Sequence, residues 1–83
     1  MPYERVKQLQ SRIIIGTKQT IKAMKNDEVQ EVFVAMDADD RVTADVRQLA
    51  EDLEIPCTEV DSKKELGKAC AIDVNAAAVA VKK

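Results

Sequence analysis

The chain has no histidine and no tryptophan. Without imidazole, serine–histidine nucleophile pairs, histidine acid–base catalysis and histidine-ligated zinc or haem are all excluded. Aromatic residues make up 2% of the chain, as Tyr3 and Phe33, too few for a platform that stacks the bases of single-stranded RNA. The two cysteines, Cys57 and Cys70, are too few and too far apart for a zinc site. With no signal peptide in view, they are expected to be reduced core residues and not a disulfide. The longest uninterrupted apolar run covers residues 76–81, far short of the roughly 20 residues a membrane span needs. The opening Met1-Pro2-Tyr3-Glu4 lacks a basic segment followed by a long apolar one, so a cytoplasmic location is expected. No metal, cofactor or membrane partner is expected.

What is present is one domain's worth of chain, residues 1–83. A chain of this size buries only about 60% of the surface its unfolded form exposes, so its core is modest. Hydrophobic residues make up 46% and charged residues 34%. Thirteen Lys and Arg against fifteen Asp and Glu leave a net charge of -2. Taken as a total, a mildly acidic charge argues against a nucleic-acid partner.

Helical and strand patterns alternate. Residues 3–10 read as a helix with Tyr3, Val6 and Leu9 or Gln10 on one side. Ile13-Ile14-Ile15 is a β-branched run ended by Gly16, which predicts a short buried strand. Thr17 is a candidate cap for a helix to about residue 26, with Ile21, Met24 and Ala23 facing inward. Residues 31–36 predict a second buried strand, and residues 37–42 an acidic loop. Val42, Val46, Leu49, Ala50 and Leu53 share one helical face, with Thr43 as the candidate cap. Pro56 marks the break before a strand at 57–60. Ser62 and Glu65 match a capping box for a helix to about residue 71, and residues 76–81 predict the last strand. Continuous apolar strands between helices predict an α/β fold: a three-layer α/β/α sandwich around a mixed four-stranded sheet covered on both faces.

The charges are segregated. Residues 1–25 carry a net +5, residues 26–61 a net -10 and residues 62–83 a net +3. If the two basic ends meet in space, they form a basic patch on an acidic protein; chance segregation of surface charge is the plain alternative. Lys18, Lys22 and Lys25 fall on one face of the second helix. The segment 16–20 stands where a strand turns into a helix, and such a helix start offers free backbone N–H groups and a positive dipole end to phosphate. Gly16 permits close approach of a ligand, or only serves the turn. The Gly-x4-Gly-Lys spacing of a P-loop is missing.

Three stretches carry a resemblance to a known family. They are Gly16-Thr17-Lys18-Gln19-Thr20-Ile21-Lys22; Ile55-Pro56 with Val60-Asp61-Ser62-Lys63-Lys64-Glu65-Leu66-Gly67-Lys68-Ala69; and the segment 72–81. Over residues 6–81 the chain resembles the ribosomal protein L7Ae family of kink-turn RNA binders, in particular its short bacterial members. The resemblance implies an α/β/α sandwich that binds a kink-turn, an RNA element bent at a bulge beside tandem sheared G·A pairs. It places RNA contacts on Gly16, Thr17, Lys18, Gln19 and Lys22, on Lys68, and on Ala71, Ile72, Asp73 and Val74. In the family a Gly-x-Asn-Glu-x-x-Lys motif enters the groove at the G·A pairs. Gly16 and Lys22 match it, whereas Lys18 replaces Asn and Gln19 replaces Glu. Gln19 keeps one acceptor and adds donors. Lys18 donates to guanine O6 or N7, or to a phosphate, as a point charge. The exchange predicts weaker geometric discrimination and a steeper salt dependence. The resemblance also puts Ile72 and Val74 under the unstacked bulge nucleotides, and Lys63, Lys64 and Lys68 near phosphates. Without it, the first two read as core and the lysines as a solvated helix face. It implies a non-enzymatic, ribonucleoprotein-associated, monomeric protein.

Two rival readings remain. Residues 32–36 followed by Asp37-Ala38-Asp39-Asp40 look superficially like the strand and Asp-x-Asp element of aspartate-based phosphotransferases, but Arg41 breaks the pattern and the chain lacks length for the other motifs. Cys70 has no histidine to activate it. A protein-interaction or assembly module is the second rival, with the acidic third helix facing a basic partner.

Overall fold

The computed structural model describes residues 2–71 and 75–83, the side chains of Pro2 and Val42 excepted. Helix α1 (Pro2–Gln8) passes through a 3-10 turn, Gln10–Arg12, into strand β1 (Ile13–Ile15). Helix α2 (Thr17–Lys25), strand β2 (Val29–Ala35), helix α3 (Asp40–Asp52), strand β3 (Cys57–Val60), helix α4 (Lys63–Ala69) and strand β4 (Ala78–Lys82) follow. The four strands form one mixed sheet in the order β1-β4-β2-β3. Strands β2 and β3 run parallel, and β4 runs antiparallel to β1 and β2.

The apolar runs of β2 and β4 are buried on both faces, as their lack of alternation predicts, whereas Ile13, Ile14 and Ile15 of the edge strand β1, expected to be buried, are only half-buried. On one face Phe33, Ala35, Val60, Val79 and Val81 pack with Val6 of α1 and Leu66 and Ala69 of α4. On the other, Val32, Val34, Ala78 and Ala80 pack with Ala23 and Met24 of α2 and Val46 and Ala50 of α3. The layers are therefore α1 and α4, the sheet, and α2 and α3. Phe33 is the largest fully buried side chain, and its burial contributes roughly 1.5–3 kcal/mol relative to exposure. Glu31 is the buried acid of β2; it accepts from Arg5 of α1 at 2.6 Å, which keeps the charge paired. Tyr3 donates to the Asp61 carboxylate and accepts from the Ser62 N–H at 3.1 Å, tying the first helix to the turn before α4.

Several expectations are corrected. The cap of α2 is Gly16, not Thr17, and it makes no side-chain hydrogen bond. Helix α3 starts inside the expected loop: Asp39 caps it by accepting from the Arg41 N–H at 2.9 Å, and Thr43 lies buried one turn in. An Asp carboxylate two residues from a free N–H suits a helix start better than a hydroxyl that must also satisfy burial. Leu53 ends α3 and is exposed, as is Met36 beyond β2. Cys57 is exposed on β3, and only Cys70 is buried; both thiols are free. Strand β2 starts at Val29, β4 runs from Ala78 to Lys82, and α1 ends at Gln8. The Ser62 cap of α4 is present, with its hydroxyl accepting from the Glu65 N–H at 3.2 Å.

Three helices end in left-handed residues that are not glycine: Asp27 (φ 58), Glu54 (φ 57) and Ala71 (φ 61). After α2, Glu28 donates to Ala23 and Asp27 to Met24; after α3, Ile55 donates to Ala50 and Glu54 to Glu51. These paired bonds are Schellman caps, which consume the last free carbonyls of each helix. Among the described residues, no helix is long and apolar enough to cross a membrane.

Candidate nucleic-acid interface

The start of α2 is built from the outgoing end of β1. Gly16 takes φ 104 and ψ 145, a conformation open to glycine and costly to other residues. A Cβ built on Gly16 meets nothing within 4 Å, so the space before the helix is open. The Gly16 carbonyl accepts the first helical bond, from Thr20 N–H at 2.9 Å. Helix geometry then leaves the N–H groups of Thr17, Lys18 and Gln19 aimed outward with the positive end of the dipole. Thr17 is half-buried; Lys18, Gln19 and Lys22 are exposed, and Thr20, Ala23 and Met24 hold the opposite side of the helix in the core.

The same turn is joined to the entrance of β4. The Gly16 N–H donates to the Ala78 carbonyl at 3.1 Å, and Ile15 is paired with Val79. Residues 75–77, which lead into β4, thus arrive beside the α2 start. Ala71 and Asn75 are exposed, and Ala76 is tied back to the Lys63 carbonyl at 3.0 Å. Ile72, Asp73 and Val74 lie outside the described residues. Lys68 sits on α4, across the sheet from α2, and faces Glu65 at 3.7 Å. The structure therefore brings Gly16, Thr17, Lys18, Gln19 and Lys22 together beside the approach to β4, and holds Lys68 in the other layer.

The cations divide into two sets. Arg5, Arg41, Arg47, Lys68 and Lys83 each lie within ion-pair distance of a carboxylate. Lys7, Arg12, Lys18, Lys22, Lys25, Lys63, Lys64 and Lys82 have no ion-pair partner among the described residues, and three of these, Lys18, Lys22 and Lys25, stand on α2. The basic ends of the chain do meet. Lys22 of α2 and Lys82 of β4 line one open cleft with Gln19, Asn26 and Glu28, over a floor of Ile14 and Ala23. Lys82 was visible in the sequence only as part of a basic tail; its approach to the end of α2 follows from the antiparallel pairing of β4 with β2, which sets Lys82 opposite Val29.

The acids of the rival enzymatic reading have structural partners. Asp37 accepts from the Lys63 N–H at 2.8 Å, and Asp39 caps α3. Hydrogen bonds from the Arg41 guanidinium and N–H hold the Asp39 carboxyl below its ordinary range. Burial pushes the Cys70 thiol up to about 11, the opposite of an activated nucleophile.

Comparisons with known proteins agree with this frame. The chain is 57% identical to an RNA-binding protein of Bacillus pumilus over 98% of both chains. It is 53% identical to one of Halalkalibacterium halodurans over the full length of both, and 53% identical to RNA-binding protein YbxF of Geobacillus stearothermophilus over 98% of both. Among solved structures, the Giardia lamblia 15.5kD RNA binding protein superposes with a TM-score of 0.88 at 27% identity, covering 94% of this chain and 68% of that one. None of these names is that of an enzyme, and the family is a non-enzymatic one. Residues 2–83 match the model of the Ribosomal protein L7Ae/L30e/S12e/Gadd45 family, and the chain belongs to that family.

Proposed function

We propose that this protein is a cytoplasmic RNA-binding protein that recognises a kink-turn, acting as a monomer without a cofactor. The observation that carries the reading is the α2 start: outward N–H groups, exposed Lys18 and Gln19, and Lys22 with no ion-pair partner among the described residues, clamped beside the approach to β4. The relatives named RNA-binding proteins support the same class of partner. Lys18 and Gln19 contact base edges in the widened groove at the sheared G·A pairs, and Lys22 neutralises phosphate. Ile72 and Val74 supply apolar support to the bulge, with Ala71 and Asp73 beside them and Lys68 on a flanking phosphate. Ribosome association fits a protein of this class.

The test is a gel shift with a kink-turn RNA beside a control duplex in which the G·A pairs are replaced by Watson–Crick pairs. The expected result is tighter binding to the kink-turn at every salt concentration. Equal binding to both would reduce the reading to nonspecific charge.

A further inference from the structure

We infer that the cleft between α2 and the end of β4 is a second phosphate-binding subsite, in which Lys82 and Asn26 hold the RNA backbone beyond the α2 start. The inference rests on the RNA reading above and adds residues that the α2 start does not contain.

Three observations place the backbone there. The first is continuity. Gln19 belongs both to the exposed first turn of α2 and to the lining of the cleft, so a strand seated at the helix start already touches its mouth. From Gln19 to Asn26 the helix rises about 10 Å, roughly three steps of a nucleic-acid strand.

The second is donor supply. Lys22 and Lys82 reach the cleft from different elements, and neither has an ion-pair partner among the described residues. Neighbouring Lys83 differs: its ammonium lies 2.7 Å from Asp27, and its N–H donates to the Glu28 carbonyl. That pair neutralises the acid at the far end of α2 and pins the chain terminus, leaving Lys82 directed at the cleft. Asn26 adds an amide whose side chain makes no hydrogen bond among those described.

The third is the asymmetry on the two sides of α2. Helix α2 packs over β1 and β4, with α3 beside it over β2 and β3. Helix α3 and the turn after it expose Asp45, Glu51, Asp52 and Glu54. A polyanion on α2 is repelled on that side and turns toward the β1 edge, where the cleft lies. Glu28 is the one acid of the lining, and it opposes the ligand.

The experiment is a salt titration of kink-turn RNA binding with the full chain. Lys82→Gln is expected to weaken binding roughly 3–10-fold near physiological salt and to flatten the slope of log K against log salt by about 0.7–0.9, one phosphate contact. Glu28→Gln is expected to tighten binding. Lys7→Gln, the same charge change on exposed α1 across the sheet, is the control and is expected to change neither quantity. Wild-type affinity and slope for Lys82→Gln, or an equal effect of Lys7→Gln, would overturn the subsite while leaving kink-turn recognition intact. Loss of the wild type's preference for the kink-turn over the G·A-replaced control would instead overturn the underlying reading, and the subsite with it. Circular dichroism of each variant checks that the fold is kept.

Discussion

The N–H of Gly16 donates to the carbonyl of Ala78 at 3.1 Å, so the turn into α2 and the turn into β4 share one hydrogen bond. That bond fixes the position of the helix start against the entrance of β4. It depends on a backbone conformation, φ 104 and ψ 145, that lies in glycine territory. Gly16→Ala is therefore expected to destabilise the fold by about 1–3 kcal/mol through backbone strain. Steric conflict adds nothing, because the added Cβ meets no atom within 4 Å. Urea denaturation measures the loss. Unchanged stability would mean that the turn relaxes, and RNA affinity would then report whether the α2 start has moved.

Glu54 carries the opposite kind of strain. It holds φ 57 at the Schellman end of α3, and a left-handed conformation costs a residue with a Cβ roughly 1–2 kcal/mol. Glycine is free of that cost but gains unfolded-state entropy. The expected net effect of Glu54→Gly is a gain of about 0.5–1 kcal/mol in denaturant midpoint measurements. Asp27 has the same backbone but is bound to Lys83, so Asp27→Gly should gain less.

Much of this geometry follows from local pattern, and the exceptions have physical causes. Ile13–Ile15 and Cys57–Val60 have the bounds their apolar and Pro-punctuated patterns predict, and the sheet is mixed and four-stranded as expected. The start of α3 was hidden because Asp39 and Thr43 are both good caps, and only tertiary burial of Thr43 decides between them. Cys57 looked like core because cysteine is commonly buried, yet β3 is an edge strand, and the edge is set by long-range pairing. At the candidate site the strand-to-helix turn at Gly16 was legible in the sequence, whereas the contacts placed on Lys18, Gln19 and Lys22 came from the family resemblance. The cleft was not legible, since it joins residues far apart in the chain. Val29 and Gln30 extend β2 through a register irregularity that no alternation rule signals.

The two thiols should behave differently. Cys57 is exposed, although partial burial raises its thiol above the ordinary range, and Cys70 is 8% exposed, so an excess of a thiol-reactive disulfide reagent at pH 8 is expected to modify Cys57 in the folded protein and Cys70 only on unfolding. Burial raises Cys70 from 9.0 to about 11. The folded protein thus holds that proton more tightly than the unfolded chain does. Its contribution to stability is fully present below pH 9 and is lost as pH rises through about 11. Burial and the Asp61 carboxylate also raise the Tyr3 phenol, which acts in the same direction. In a Cys57→Ser background, denaturation midpoints should fall over this range, and Cys70→Ala should flatten part of the fall. A fall that is identical with and without Cys70 would assign it elsewhere.

Gln19 and Lys22 stand one helical turn apart on α2, and both are exposed, but they should fail in different ways. A side chain that reads a base edge loses a set of directed hydrogen bonds when truncated. Gln19→Ala is therefore expected to cost about 1–3 kcal/mol of kink-turn binding, with most of the loss absent from the G·A-replaced control. A side chain that meets phosphate carries no sequence information. Lys22→Ala is expected to weaken binding to both RNAs alike and to reduce the salt slope by about one. Gln19→Glu adds a charge to the same position and replaces donors with acceptors suited to guanine N1–H and N2–H. It should sharpen discrimination between the two RNAs while lowering affinity for the control. Binding curves for the three variants on both RNAs, at 50 and 200 mM salt, separate these outcomes. If Gln19→Ala weakens both RNAs equally, Gln19 contributes general affinity, and base-edge recognition must be assigned to another residue of the α2 start.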